Sequence, residues 1–174
     1  MSLREWMLSL GNPYYKLYVS AKKWHQKSPY GFYAGREFLE LTEEERAAGR
    51  SCPCLNEAEA LYRQSIEGET RGQRAFNAAT ARYQLGLLMH WQGRSDEARA
   101  EYERAAAMFN NLPNAEAPGA LSDCHFRLGD LWEDRGEIER AIAEFEKSRA
   151  LDQMRGDANA AFLSEERLRR LRRR

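Results

Sequence analysis

The sequence predicts an all-α fold in which antiparallel helix hairpins stack into a solenoid. One observation is an internal repeat at a spacing of 43 residues: Leu85-Gly86, Gly93, Ala98, Tyr102 and Ala105 recur as Leu128-Gly129, Gly136, Ala141, Phe145 and Ser148. The other is that apolar residues follow helical spacing on both sides of the central glycine. Because a repeated helix pair buries its apolar side only by stacking on its neighbours, the pattern indicates a solenoid.

The helix pair of the first copy is marked by its turn. Apolar residues at helical spacing continue up to Trp91, and the stretch 69–92 is predicted as one long first helix because no strong breaker follows Gly72. Gly93 suits the left-handed residue after a helix end, and Ser95 suits the N-cap of the next helix. The acidic residues that follow Ser95 then lie in a first turn, where the helix dipole favours negative charge.

Small and large residues are placed where the two helices of a hairpin would touch. Gly86 and Ala98 allow the two backbones to approach closely, and Tyr102 is large enough to fill the space beneath them. The corresponding residues of the second copy are Gly129, Ala141 and Phe145. The same packing is therefore predicted twice.

Two further elements extend this core, one on each side. Residues 51–155 are predicted to carry the repeats, because an echo of the second helix, with Ala58 in place of Ala98, lies 40 residues earlier. Residues 156–174 are predicted as a C-terminal capping helix that starts near Asp157 and ends in an arginine-rich tail. The inner side of that helix is predicted to consist of Ala160, Ala161, Leu163, Leu168 and Leu171.

Residues 1–50 form a separate, aromatic-rich N-terminal segment. Nine of the 19 aromatic residues lie in the first 38 positions. Since a stack of hairpins exposes apolar surface at its ends, the segment is predicted to pack on the repeats as a cap. The alternative is a docking segment beside the repeats or at a membrane surface, because aromatic residues with nearby lysines suit an interface.

The order of the repeated residues resembles the tetratricopeptide repeat, over about residues 55–173. Its signature is a Leu-Gly pair, a glycine seven residues later, and then alanine, an aromatic and a small residue at steps of five, four and three. Periods of 40 to 43 are similar to the long-helix subclass found in kinesin light chains and in polarity scaffolds that bind short regulatory peptides. The resemblance implies a right-handed α-solenoid that works as a protein-binding scaffold.

The same resemblance implies that the first helices of successive hairpins line a concave groove. The partner-binding positions would be Tyr83, Leu87, His90, Trp91, Phe126, Asp130, Glu133 and Asp134. The first four are apolar or aromatic with a histidine, and the last four are acidic with a phenylalanine. A partner with a basic residue beside an apolar anchor would complement them. The alternative for Trp91 and Phe126 is packing against a neighbouring helix.

The C-terminal tail is predicted to be an electrostatic element of its own, solvated or frayed at its end. Its arginines are Arg167, Arg169, Arg170, Arg172, Arg173 and Arg174. Without these six, 21 basic residues remain against 27 acidic ones, so the body carries −6 while the whole chain is neutral. Nucleic acid or an anionic membrane surface is a possible but disfavoured partner of the tail, because the acidic body opposes a broad phosphate-binding surface.

Composition narrows the remaining functional classes. No run of 18 apolar residues exists, so no transmembrane segment is predicted, and three cysteines suit a reducing, cytoplasmic compartment. Cys52-Pro53-Cys54 has the wrong spacing for a zinc knuckle, so no metal is predicted. The three histidines are scattered and no phosphate loop or hydrolase motif is present, which argues against an enzyme and against a cofactor.

The sequence therefore predicts a non-catalytic scaffold or adaptor for protein–protein interaction, with a protein or peptide segment bound in the groove. The alternative is a structural subunit of a larger assembly. In that case the partners would contact the aromatic N-terminal segment and the basic C-terminal tail.

Overall fold

The computed structural model describes residues 19–23, 53–71, 73–113 and 115–173. Residues 19–23 are helical, and six longer helices follow: α1 (Pro53–Arg71), α2 (Ala75–Trp91), α3 (Ser95–Asn110), α4 (Ala117–Asp134), α5 (Ile138–Met154) and α6 (Ala158–Leu171). The described residues contain no strand, so the predicted all-α fold is confirmed. Among these residues, no helix is long and apolar enough to cross a bilayer.

The helices form two central hairpins with a helix on either side. Hairpin one consists of α2 and α3, and hairpin two consists of α4 and α5. Helix α1 packs on α2, α3 packs on α4, and α5 packs on α6, so that each helix contacts the next along the chain. This arrangement confirms the predicted solenoid of helix hairpins.

Two glycines allow the helices of each hairpin to approach, as predicted. A Cβ atom added to Gly86 would lie 2.7 Å from the ring of Tyr102, and one added to Gly129 would lie 2.8 Å from the ring of Phe145. Both rings are fully buried. The glycines are therefore required by close packing inside a helix, where their entropy cost is otherwise unfavourable.

Four helix ends share one turn geometry. Gln73, Gly93, Gly136 and Gly156 have left-handed φ values of 56°, 77°, 73° and 76°. In each turn this residue donates its N–H to the carbonyl three residues earlier, and the next residue donates to the carbonyl five residues earlier. This is the Schellman pattern that closes a helix with a left-handed residue, so the prediction for Gly93 is confirmed.

Two local predictions were wrong. The stretch 69–92 is not one helix, because the chain turns at the left-handed Gln73 between α1 and α2. Ser95 is not an N-cap: it is the first residue of α3, and Arg94 precedes it without a capping side-chain hydrogen bond. Asp157 does cap α6, since its carboxylate accepts the Ala160 N–H at 3.0 Å.

The inner side of α6 differs from the prediction at two positions, since Ala160 is only half-buried and Leu163 is exposed. Ala161, Leu168 and Leu171 are buried, but Leu163 is 42% exposed. Ser164 lies inward instead, because it falls on the same helical face as Ala161 and Leu168.

The main hydrophobic cluster joins residues from most of the chain. It includes Leu55 and Tyr62 of α1, Leu85 of α2 and Leu131 of α4. Ala21, from residues 19–23, is fully buried in the same cluster. The other predictions for residues 1–50, including the nine aromatic residues, lie outside the described residues.

Candidate protein-interaction site

The predicted groove positions lie on α2 and α4, but most of their side chains are buried. Leu87, His90, Trp91, Phe126 and Asp130 have relative exposures of only 4, 7, 2, 2 and 0%. Tyr83 is half-buried, the Glu133 side chain is 10% exposed and that of Asp134 is 45% exposed. A partner that approaches this structure can therefore contact few of the eight residues directly.

The aromatic set on α2 is part of the hydrophobic interior. Leu87 and Trp91 belong to the same apolar cluster as Leu128 and Leu131 of α4. On α4, Phe126 lies edge-on to Phe145 of α5, with ring centroids 5.1 Å apart. Trp91 and Phe126 thus pack against neighbouring helices in this structure, as the alternative interpretation of the sequence expected.

The acidic set on α4 is neutralised by arginines of the same chain. Asp130 accepts a hydrogen bond from Arg127 at 3.1 Å and another from Arg167 of α6 at 2.6 Å. Glu133 accepts from Arg170 at 2.7 Å. Burial raises the pKa of Asp130, and the two adjacent guanidinium groups oppose that rise. The carboxylates therefore bind α6 rather than facing solvent.

The arginine-rich tail is solvated only in part: the Arg167 side chain is 16% exposed, whereas those of Arg169, Arg170 and Arg172 are 59, 49 and 48% exposed. Four of its arginines pair with carboxylates: Arg167 with Asp130, Arg169 with Glu165, Arg170 with Glu133 and Arg172 with Glu146. Arg173 is exposed, and Arg174 lies outside the described residues. A role of these arginines in binding nucleic acid or a membrane stays a prediction.

His90 and Asp134 are brought together between the two hairpins. The His90 Nε2 lies 3.6 Å from a carboxylate oxygen of Asp134, and the His90 Nδ1 lies 3.5 Å from the hydroxyl of Tyr102. The exposed Asp134 thus lies close to a buried residue of the preceding first helix. This contact places an exposed negative charge at the junction of α2 and α4.

Sequence reasoning missed Arg127, which is only 1% exposed. A signal was present: Arg127 and Asp130 are three residues apart on a helix, where opposite charges pair. Their counterparts 43 residues earlier are the uncharged Gln84 and Leu87. A charge pair that appears in only one copy of a repeat indicates an interaction that only this copy makes.

A surface cleft lies on the other side of hairpin two. His125 Nδ1 lies 2.6 Å from Glu144, which also accepts from Lys147 at 2.7 Å. Burial would raise the pKa of Glu144, but hydrogen bonds to His125 and Lys147 outweigh it and hold the pKa below its usual value. Nearby, Trp132 is flanked by the guanidinium groups of Arg99, Arg135 and Arg140.

The described residues provide little chemistry beyond these pairs. Within them, no group of three or more histidine, cysteine or acidic side chains is arranged to hold a metal ion. The Cys124 thiol is buried, and burial raises its pKa, which makes it a poor nucleophile. The predicted Cys52 and Cys54 thiols lie outside the described side chains.

A comparison with protein-family models agrees with the fold. Residues 77–154 match the tetratricopeptide repeat model. A similar solved structure is the crystal structure of BtubC (BKLC) from P. vanneervenii, at 14% sequence identity and a TM-score of 0.49. That match covers 76% of this chain and 66% of the other, slightly under two thirds of its length. Curated proteins gave no significant match.

Proposed function

We propose that this tetratricopeptide repeat protein is a non-catalytic scaffold that binds a segment of a partner protein along its first helices α2 and α4. Repeats of this family generally mediate protein–protein interaction and typically carry no catalytic activity. The observation that supports the site is an accessible, acidic edge on these helices. It consists of the half-buried Tyr83, the half-buried Asp123 and the exposed Asp134.

The chemistry of this edge favours a basic segment with an apolar anchor. Asp123 lies close enough to Tyr83 to influence its phenol electrostatically, and Asp134 lies 3.6 Å from His90 Nε2 at the surface. Asp134 takes no part in the arginine pairs that neutralise Asp130 and Glu133, and its side chain is 45% exposed. An arginine or lysine of the partner can therefore approach Asp134, with the charge of Asp123 on the same edge, while an apolar side chain contacts the ring of Tyr83.

The test is affinity capture of partners from cells, followed by titration of the captured partner against purified variants. Asp123→Lys with Asp134→Lys is expected to slow association, because charge steering acts on the encounter. Tyr83→Ala is expected to weaken binding by about tenfold or more, as for a central aromatic contact. Circular dichroism should show that each variant is folded. Glu139→Lys, on the exposed side of α5, is the matched charge control and should bind normally.

The competing function is a structural subunit that contacts its assembly through the N-terminal segment and the basic tail. A partner that binds all the α2 and α4 variants normally, but is lost on deletion of residues 1–40, would support that function. It would also refute binding along the first helices.

A further inference from the structure

The exposed large apolar side chains of the described residues are confined to the end of the solenoid at α6. They are Met154, Phe162 and Leu163, with relative exposures of 77, 54 and 42%. Single exposed apolar residues are common, but three within ten positions form a patch that suits an interaction. The patch lies at the end of α5 and the beginning of α6.

Helix α6 occupies the place of a first helix. Its Ser164 hydroxyl lies 3.1 Å from that of Ser148 on α5, and Ala161, Leu168 and Leu171 are buried with it. In hairpin two, the first helix α4 packs on α3 before it and on α5 after it. Among the described helices, α6 packs mainly on α5, on one side only.

The repeat spacing identifies what Phe162 would contact on its exposed side. Phe162 lies 86 residues after Phe76, which is twice the 43-residue period. Phe76 of α2 packs edge-on against Phe109 near the end of α3, with ring centroids 5.5 Å apart. Phe162 is therefore the residue on which the second helix of a third hairpin would place an aromatic ring near its C-terminal end.

The other end of the α6 face has a different chemistry. Arg172 lies 43 residues after Gly129 and 86 after Gly86, the two glycines on which the second helices place an aromatic ring. The Arg172 side chain is 48% exposed although it pairs with Glu146, and Arg169 beside it is 59% exposed. Carboxylates on a helix that packs on this face would complement these arginines.

We propose that the exposed face of α6 binds a helix of a partner protein, in the position that the second helix takes in hairpins one and two. The bound helix runs antiparallel to α6, with acidic residues in its first half and an aromatic residue near its C-terminal end. Acidic first turns also suit the dipole of the bound helix. This surface is separate from the edge of α2 and α4, so either can fail without the other.

The probe is a synthetic peptide of residues 95–110, the sequence of α3, with Tyr102→Glu. It carries acidic residues in its first half and Phe109 near its end. Binding to the full chain is measured by fluorescence anisotropy of the labelled peptide, and a Kd below about 100 μM is expected. Phe162→Ala should weaken binding by about tenfold, and Arg169→Glu with Arg172→Glu by at least as much.

A double-mutant cycle links the two rings. The Phe109→Ala peptide should bind the wild-type chain about tenfold more weakly, but should lose little further affinity on the Phe162→Ala chain. Arg140→Glu, an exposed arginine on α5, is the control and should bind as wild type does. Circular dichroism checks that the variants are folded.

Three results would overturn the proposal. They are a Kd above about 100 μM for the peptide, binding that is unchanged by the α6 variants, or additive losses in the cycle. Sedimentation of the chain alone tests a different occupant. A dimer that dissociates on Phe162→Ala would assign the face to a second copy of this chain instead of a partner helix.

Discussion

In hairpin one, Phe76 of α2 packs edge-on against Phe109 of α3, whereas in hairpin two the corresponding residues are Gly119 and Asp152. A side chain at Gly119 would collide with the guanidinium of Arg155, which lies 3.3 Å from a carboxylate oxygen of the fully buried Asp152. An aromatic pair in one hairpin is thus replaced by an ion pair in the other.

The same replacement continues along the two hairpins. Ala79 and Ala105, both fully buried, become Ser122 and Ser148, whose hydroxyls lie 3.0 Å apart. Ser148 also contacts Ser164 of α6. Leu87 of α2 corresponds to Asp130 of α4, and Asp130 binds Arg167 of α6. Hairpin two therefore has buried polar groups on the side that meets α6, beside the apolar cluster that Phe126 and Phe145 form with Leu168 and Leu171. The same positions of hairpin one are apolar.

The contrast teaches that one repeat framework supports two kinds of packing. The close glycine–ring contacts are common to both hairpins and fix the distance between the helices. The remaining inward positions are either apolar or polar, provided that the polar groups are paired. The ion pairs between α4 and α6 also fix which helix packs on α4 and in which register. Apolar contacts specify the register less strictly.

The largest expected effect comes from making hairpin two resemble hairpin one at a single position. Asp130→Leu places the residue of hairpin one beside the buried Arg127, which then loses its carboxylate. The free energy of unfolding should fall by about 3–5 kcal/mol. Converting both positions, as Arg127→Gln with Asp130→Leu, should recover much of the lost free energy of unfolding. Urea denaturation measures both changes, and a double variant as unstable as the single one would contradict the explanation.

The shared framework is tested by overpacking it in each hairpin. Gly129→Leu and Gly86→Leu both drive a side chain into an aromatic ring, and each should cost on the order of 1–3 kcal/mol. Thermal or urea unfolding provides the measurement. Equal losses would confirm that the two hairpins share this contact, and a loss in only one would mean that they do not.

A smaller effect is expected from the serine contacts. Ser148→Ala removes the hydroxyl that joins Ser122 to Ser164, and should cost about 1 kcal/mol. In hairpin one, Ala105→Ser should destabilise the protein when introduced alone. Adding Ala79→Ser should reduce that loss by providing a partner. If hairpin one tolerates a single serine without loss of stability, the two hairpins do not differ in this way.

The smallest effect is a pH dependence in hairpin two. The pKa of Glu144 is lowered in the folded protein, so its pairs stabilise the fold above the ordinary pKa of a glutamate. That contribution is lost as the pH falls through the lowered folded-state value. When the free energy of unfolding is measured from pH 7 downward, it should fall less for Glu144→Gln than for wild type. Glu139→Gln is the control and should lose as much stability as wild type. An equal fall in the free energy of unfolding for Glu144→Gln and wild type would contradict the prediction.

Several features of the fold followed from the sequence because they are local and periodic. Gly93 predicts a helix end from its own conformational freedom, and Gly86 and Tyr102 predict a contact from their sizes and spacing. Gln73 breaks the same rule, since a left-handed residue there is not a glycine. The long first helix was therefore predicted where a turn exists.

The candidate site was harder to predict because burial depends on which neighbour covers a helix face. Trp91 and Phe126 have the residue types of binding positions, yet both are interior. Asp130 was predicted to face a partner, and it binds Arg167, 37 residues later, on a helix whose position the sequence did not specify. Leu163 was assigned to the wrong side of that helix for the same reason.

The recurring Schellman turns also bear on how such a chain can grow. Gly93 and Gly136 end the first helices of the two hairpins with the same two hydrogen bonds, 43 residues apart. Each turn is specified by residues within one helical turn of it, independently of the rest of the molecule. A gene duplication of one such stretch would therefore insert a further hairpin with its own turn already encoded. The number of hairpins can therefore change in evolution while the existing turns between helices keep their geometry.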